Sequence, residues 1–511
     1  MANRRRMFLT RWLALPAAIM SLAAILTAAT PAWGAVANGP VVLASAGDDT
    51  ATPTGTASLA ALKHGPRQES TPWGYRLVSL AGLAVMMVLA WVLSNNRRVI
   101  PWRVVGFGLG LQVVFALLVL KTGPGRFAFD LINAGFVKLL EFTEQGARFV
   151  FGNLVHNNVP VGTVADPASG AMAPLMQTGV YFANVGSYFA FNVLPTIIFF
   201  SSLMTVLYHL GVMQKVVKAM AWVMQRSMKV SGAESLSTSA NIFVGQTEAP
   251  LIIRPYVAGM TNSELMAVMT GGFATVAGGV MAAYIGMLKG YIPDIGGHLL
   301  SASVMSAPAA LLVAKLMFPE TGAPATMGTV PDDGGEKPHV NVIDAAAGGA
   351  ADGLKLALNV AAMLMAFISL IALLNALVGA AGGLFGLGDL SLEKLLGYIF
   401  WPFALVMGIP VHECMQAGQL LGEKTVINEF VAYLHLAQGM GQGSGLSTRS
   451  VIILSYALCG FANFGSIAIQ LGGIGGIAPS RRGDLARLGL RAMVGGTLAA
   501  FMTACIAGVM L

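Results

Sequence analysis

Asn-Ile-Phe-Val-Gly-Gln-Thr-Glu-Ala-Pro-Leu (241–251) sets a carboxylate, two amides and a threonine hydroxyl in the middle of an apolar stretch, punctuated by Gly245 and Pro250. A charge at membrane depth costs at least a few kcal/mol, so acidic side chains found there line a solute or ion path. Val-Ile-Asn-Glu-Phe-Val-Ala-Tyr (426–433) repeats the pattern with Glu429. Two such carboxylates, Glu248 and Glu429, point to a chain that moves something polar across a bilayer.

Composition agrees. Hydrophobic residues make up 56% of 511 positions and charged residues only 10%, where a soluble domain carries about 25%; mean hydropathy is +0.72. The 62 glycines and 28 methionines suit close helix contacts and adaptable packing. A net charge of +7 does not signal nucleic acid, because the basic residues are scattered through short loops between apolar runs. The three cysteines, Cys414, Cys459 and Cys505, lie in apolar segments and read as inert thiols.

The chain opens with Arg4, Arg5, Arg6 and Arg11 before an apolar run from Leu13 to Thr27, with small residues at 35–37. That is the shape of a signal peptide over 1–37, with an uncleaved anchor as the competing reading. Residues 38–72 read as a disordered extracytoplasmic tail. A span needs about 20 apolar residues, and eight candidates follow: 77–94, 104–120, 188–211, 265–288, 299–318, 356–379, 451–477 and 490–511. With the tail outside, the clusters Arg97/Arg98/Arg103, Lys215/Lys218/Arg226/Lys229 and Arg481/Arg482/Arg487 all fall inside. The stretch 125–153 reads as an amphipathic interfacial helix and 154–180 as an outside loop.

Segments 231–258 and 410–440 are interrupted at their midpoints by Gly, Pro, Gln, Glu and Asn, and the topology closes only if each enters and leaves on one side. Both read as re-entrant hairpins, whose irregular tips are tolerated only where they face protein or a wet cavity. Each precedes a span, one entering from inside and one from outside, which is the order of an inverted repeat. The expected blocks are 73–230 (scaffold spans and interfacial helices), 231–298 (first hairpin and broken helix), 299–409 (scaffold), 410–480 (second hairpin and broken helix) and 481–511 (final span).

Further polar groups gather near the tips. Cys-Gly-Phe-Ala-Asn-Phe-Gly-Ser-Ile-Ala-Ile-Gln (459–470) sets Asn463 and Ser466 three apart, with Phe461 as an aromatic wall. Gly-Gly-Phe-Ala-Thr-Val-Ala-Gly-Gly-Val-Met (271–281) carries Thr275 among small residues. Gln246, Thr247 and Glu248 at one tip, with Asn428 and Glu429 at the other, suit a neutral solute rich in hydroxyls and amides.

These motifs resemble the signatures of the concentrative nucleoside transporters, sodium-coupled bacterial type, over 73–511. The resemblance implies an all-α integral membrane protein with eight spans, two opposed hairpins and an elevator motion, assembled as a homotrimer in the bacterial inner membrane. It implies that Gln246, Thr247 and Glu248 read the nucleobase beside Val280 and Phe461, while Glu429, Asn463 and Ser466 bond the ribose. Sodium would lie on Asn241, Val244, Thr275 and Val276, with Thr275 where Ser is expected; its hydroxyl keeps an oxygen ligand. Gly465 stands where Ser is common, which leaves base selectivity open. No organic cofactor is expected. A proton-coupled nucleoside symporter and a channel for polar solutes are the alternatives. His412-Glu413-Cys414-Met415-Gln416 lacks the second His of a zinc protease motif, and no Ser/His or Asp/Asp pairing suggests an enzyme.

Overall fold

The computed structural model describes residues 72–155, 158–161, 181–184, 189–331, 339–383, 390–441 and 445–511. The expected signal peptide, and all of the tail but Pro72, lie outside the described residues.

All eight expected spans fall on helices. The longer described helices are, in order, α1 (Trp73–Val92), α2 (Trp102–Lys121), α3 (Gly123–Phe151), α4 (Leu194–His209), α5 (Val212–Met228), α6 (Gly232–Ala240), α7 (Asn262–Ala274) and α8 (Gly278–Leu288). They continue with α9 (Ile295–Met317), α10 (Val342–Gly383), α11 (Leu392–Val406), α12 (Cys414–Val426), α13 (Glu429–Gly441), α14 (Thr448–Leu458), α15 (Phe464–Ile477) and α16 (Arg482–Met510). Five described segments, one of them the divided α7/α8, are long and apolar enough to cross a bilayer. The expected spans 265–288 and 451–477 are each two helices divided at a break, α7/α8 and α14/α15. The expected 356–379 is the middle of a 42-residue helix.

One stretch of the expected outside loop, Asn158–Val161, pairs antiparallel with Tyr181–Asn184 just beyond it, and Ser231 makes an isolated bridge with Met327, which are departures from the helical reading. A second difference is α5, in a stretch read only as a basic inside loop. It turns 78° from α4 and buries Met213, Val217, Ala221, Met224 and Met228, at steps of three or four that make one apolar face.

Both re-entrant segments form helix, break, helix. α6 starts on a capping box, Ser231 with Glu234, and after the tip the chain returns through two one-turn helices, Ala249–Ile252 and Arg254–Val257. α12 and α13 are longer and separated only by Ile427 and Asn428. Each hairpin base is tied to the broken helix that follows it. Lys315 on α9 pairs with buried Glu234 at 2.7 Å and Glu320 at 3.2 Å, and donates to Ser263 at the start of α7. Glu413 accepts from the backbone and hydroxyl of Ser447, the N-cap of α14.

α16 packs against α1, α7, α9, α14 and α15, forming the centre of the buried core. α4 instead pairs with α10, whose Leu354, Leu358, Met365, Leu370, Leu373 and Leu377 remain exposed. Apolar side chains so exposed need lipid or another chain against them. On α3, Phe127, Leu131, Phe142 and Phe149 are exposed beside the surface pair Lys138–Glu141, the two-faced surface expected of an interfacial helix.

Candidate functional site

Two backbone breaks meet at the centre of the molecule. α7 ends at Thr275 (φ −118°, ψ 167°), and Ala277 is also extended (φ −60°, ψ 140°), so three residues run without helical pairing before α8. In the other broken helix Gly460 takes φ +137°, a conformation that side chains disfavour. A Cβ on Gly460 would stand 2.7 Å from the Phe273 carbonyl oxygen and 3.0 Å from that of Ala274. The two breaks therefore touch backbone to backbone.

One hydrogen-bonded chain of side chains crosses this point. Glu429, at the start of α13 and 4% exposed, accepts from Tyr284 Oη at 3.0 Å and from Asn463 Nδ2 at 3.0 Å, one on each carboxylate oxygen. Asn463 does not share a helical face with Ser466 as expected: it is extended (φ −135°) and caps α15, its Oδ1 accepting the Ser466 amide at 2.8 Å. Ser466 Oγ in turn accepts from Gln246 Nε2 at 3.0 Å. Gln470 Nε2 donates to Gln246 Oε1 at 3.0 Å and to the Met269 carbonyl at 3.1 Å. The second hairpin, the second broken helix and the first hairpin tip are thus joined through buried polar groups. A carboxylate offers about four acceptor positions, so Glu429 keeps room for the hydroxyls of a solute.

Oxygens with acceptor capacity to spare lie on the first hairpin tip and on the neighbouring break. Asn241, 1% exposed, donates to the Ser237 carbonyl at 3.1 Å, while its Oδ1 is buried without a partner. Thr275 Oγ1 donates its proton to the Gly271 carbonyl at 2.9 Å, leaving its lone pairs free to accept. Among the described residues no hydrogen bond reaches the carbonyls of Val244 or Val276. Orphaned buried acceptors are rare and call for an occupant. Four uncharged oxygens suit a hard monovalent cation. The tip is pinned to the break by Gly278 N to Phe243 O at 2.9 Å, and to α9 by Ser303 Oγ to Ile242 O at 3.2 Å.

Not every expected residue joins this network. Glu248 is exposed, its carboxylate folded back over Gly245 where the tip opens before Ala249 begins the returning turn. Thr247 is half-buried against Gly473 of α15. Val280 is buried and Phe461 half-buried, both packed with the apolar core. Asn428 spends its Oδ1 on the Val431 amide as a helix cap.

Three participants were not singled out from the sequence. Gln470 was quoted only as the end of its motif, although it lies four residues after Ser466 on one helical face. Tyr284 is the lone polar group of an apolar helix, and its ring stacks on Tyr433 at 4.2 Å. Lys424, fully buried in α12, donates to the Ala457 carbonyl at 2.7 Å, closing off the end of α14 beside the second break.

With that geometry in hand, comparison with known proteins is specific. Family models described as Na+ dependent nucleoside transporter N-terminus, nucleoside recognition gate, and Na+ dependent nucleoside transporter C-terminus match residues 81–154, 190–290 and 298–508. An uncharacterized transporter of Haemophilus influenzae is 46% identical over 84% of this chain and 97% of its own length. Human solute carrier family 28 member 3 is 40% identical, covering 85% of this chain and 60% of that protein. The solved structure of CNTnw in an inward-facing substrate-bound state is 43% identical with a TM-score of 0.75, covering 85% of this chain and 98% of that one.

Proposed function

Since the chain belongs to the concentrative nucleoside transporter family, a family of multi-pass membrane transporters and not of enzymes, we propose that it is a secondary active symporter importing nucleosides across the bacterial inner membrane on the sodium gradient. The observation that supports this most is the polar chain from Tyr284 and Glu429 through Asn463 and Ser466 to Gln246, with the unpartnered Asn241 oxygen on the same hairpin tip.

In this reading Glu429, oriented by Tyr284 and Asn463, accepts the paired ribose hydroxyls by charge-assisted hydrogen bonds. Ser466 joins it on the sugar. Gln246, held at its carbonyl end by Gln470, turns its amide to the nucleobase, with Thr247 and Glu248 completing the edge and Val280 and Phe461 flanking the ring. Ser466 and Gln246 bond each other in the described state, so each exchanges that bond for one to the solute. The co-transported ion is sodium, bound as cargo by Asn241 Oδ1, Thr275 Oγ1 and the carbonyls of Val244 and Val276. Two of these four, Asn241 and Val244, lie within five residues of Gln246, so ion binding fixes the tip that reads the base, and substrate and sodium raise each other's affinity by the same factor.

The packing suggests how the site moves. α4 and α10 pair along one edge, where α4 also packs against α8, and α11 packs against the first arm of the second hairpin. We assign the two hairpins and their broken helices, 231–298 and 410–480, to the elevator and the spans of 73–230 and 299–409 to a trimeric scaffold, with the exposed leucines of α10 at the interface between copies.

Uptake of labelled uridine and adenosine into proteoliposomes, under a sodium gradient, a proton gradient or neither, tests the proposal. Sodium alone should drive accumulation. Accumulation driven only by protons would remove the ion assignment and leave nucleoside transport standing; no uptake under any gradient would remove both.

A further inference from the structure

Lys424 is the only lysine or arginine of the second hairpin, and it is fully buried. An ammonium brings three donors and a charge. Among the described residues its Nζ makes one hydrogen bond, to the neutral carbonyl of Ala457 at 2.7 Å in the last turn of α14. Taking such a charge out of water is costly unless an opposite charge compensates it. Lys315, also buried, has Glu234 at 2.7 Å and Glu320 at 3.2 Å. Lys424 has no such ion pair among the described residues, and its sequence neighbour Glu423 is already held by His435 at 2.8 Å.

The carboxylate that acts on this charge is Glu429. Only Ile427 and Asn428 part α12 from α13, so Lys424 in the last turn of one helix and Glu429 in the first turn of the other flank a single tip. Both also reach the second break. Lys424 holds the Ala457 carbonyl before it, and Glu429 accepts from Asn463 after it. The remaining titratable neighbours of Glu429, the phenols of Tyr284 and Tyr433 and the thiol of Cys459, are uncharged near neutral pH and compensate nothing. In a symporter that binds ribose on Glu429, this carboxylate must cross the membrane without solute once in every cycle, and a lone charge in a low-dielectric interior opposes that step. We propose that Lys424 is the fixed counter-charge of Glu429, and that it lets the empty transport domain return across the membrane without a second cation. This inference rests on the nucleoside symport proposed above. The first hairpin tip takes its cation from solution at Asn241 and Thr275, whereas the second carries one covalently.

Return of the empty carrier is needed for net uptake under a sodium gradient. It is not needed for exchange, in which external labelled uridine swaps with internal uridine while sodium is equal on both sides. Both rates are measured on full-length protein in proteoliposomes at saturating uridine. Lys424→Gln keeps a donor for the Ala457 carbonyl and deletes the charge, so net uptake should fall about tenfold or more relative to exchange, the scale set by a buried charge left unpaired. Lys424→Arg keeps the charge and should lower that ratio less. Glu429→Gln alone should lower the ratio too, and adding Lys424→Gln to it should bring the ratio back towards wild type, because the two charges are then removed together. Equal loss of net uptake and exchange in Lys424→Gln, an unchanged ratio there, or a double variant with a ratio below both singles would each overturn the proposal. If Lys424→Gln gives no monodisperse protein, the double variant decides: a ratio near wild type supports the pairing and a low one overturns it. Wild-type protein that neither accumulates nor exchanges uridine would remove the nucleoside reading itself, and this inference with it.

Discussion

The two hairpin tips solve the same problem in opposite ways. The second breaks for only two residues, Ile427 and Asn428; Asn428 caps the returning helix, and both oxygens of Glu429 already hold donors. The first runs irregularly from Asn241 to Glu248, leaves the Asn241 Oδ1 unpartnered and exposes Glu248. A satisfied tip is preorganised and loses little order on binding, while an unsatisfied one waits for something to complete it. The contrast fits the proposed function, in which the sugar, common to every nucleoside, goes to the rigid tip, and the ion and the variable base to the adjustable one.

Breaking the rigid tip should cost most. Glu429→Gln replaces a charged acceptor by an amide whose NH2 must face Tyr284 or Asn463; a charge-assisted hydrogen bond contributes about 1.5–3 kcal/mol, so uridine affinity should fall by roughly one to two decades, and deoxyribosides should lose less. Unchanged uridine uptake by folded Glu429→Gln would end the ribose assignment. At the adjustable tip, Gln246→Ala strands Ser466 and Gln470; with an unpaired buried group costing about 1–3 kcal/mol, a loss near tenfold is expected, unequal among nucleobases in competition assays. A uniform loss across bases would point to gating instead.

Smaller again is Thr275→Val, which keeps shape and deletes one oxygen. It should raise the sodium concentration for half-maximal uptake about fivefold, on the scale of about 1 kcal/mol for one lost polar contact, while uptake at saturating sodium changes less. A curve that does not move along the sodium axis would take Thr275 out of the ion site. Glu248→Gln should do least, about twofold in base preference, since an exposed carboxylate is screened by water. A larger effect than that of Gln246→Ala would mean that the exposed position belongs to one stage of the cycle and that Glu248 becomes buried in another.

Much of this was legible from residue type alone. Gly245, Pro250 and the polar residues between them announced the first break, and the same logic found the second hairpin, because irregular backbone in an apolar segment leaves few other readings. What a hydropathy window averages away was not legible. Tyr284 and Lys424 are single polar groups in helical stretches, and only the fold shows that they meet Glu429 and the end of α14. α5 was hidden because its basic residues mark an inside surface whether or not the segment is helical, and only the spacing of Met213, Val217, Ala221, Met224 and Met228 carried the helix. That Glu248 is exposed was not legible either, because a sequence gives the depth of a segment and not the direction in which a turn points its side chain.

Gly460 has an outcome of its own. With its Cα against the Phe273 and Ala274 carbonyls there is no side chain between the two breaks to lengthen, shorten or swivel. The distance between the two halves of the cargo compartment is therefore written in main chain, like the gauge of a railway. Exchanging the groups on either rail leaves that spacing untouched. Moving the rails apart would require rebuilding both helices at once.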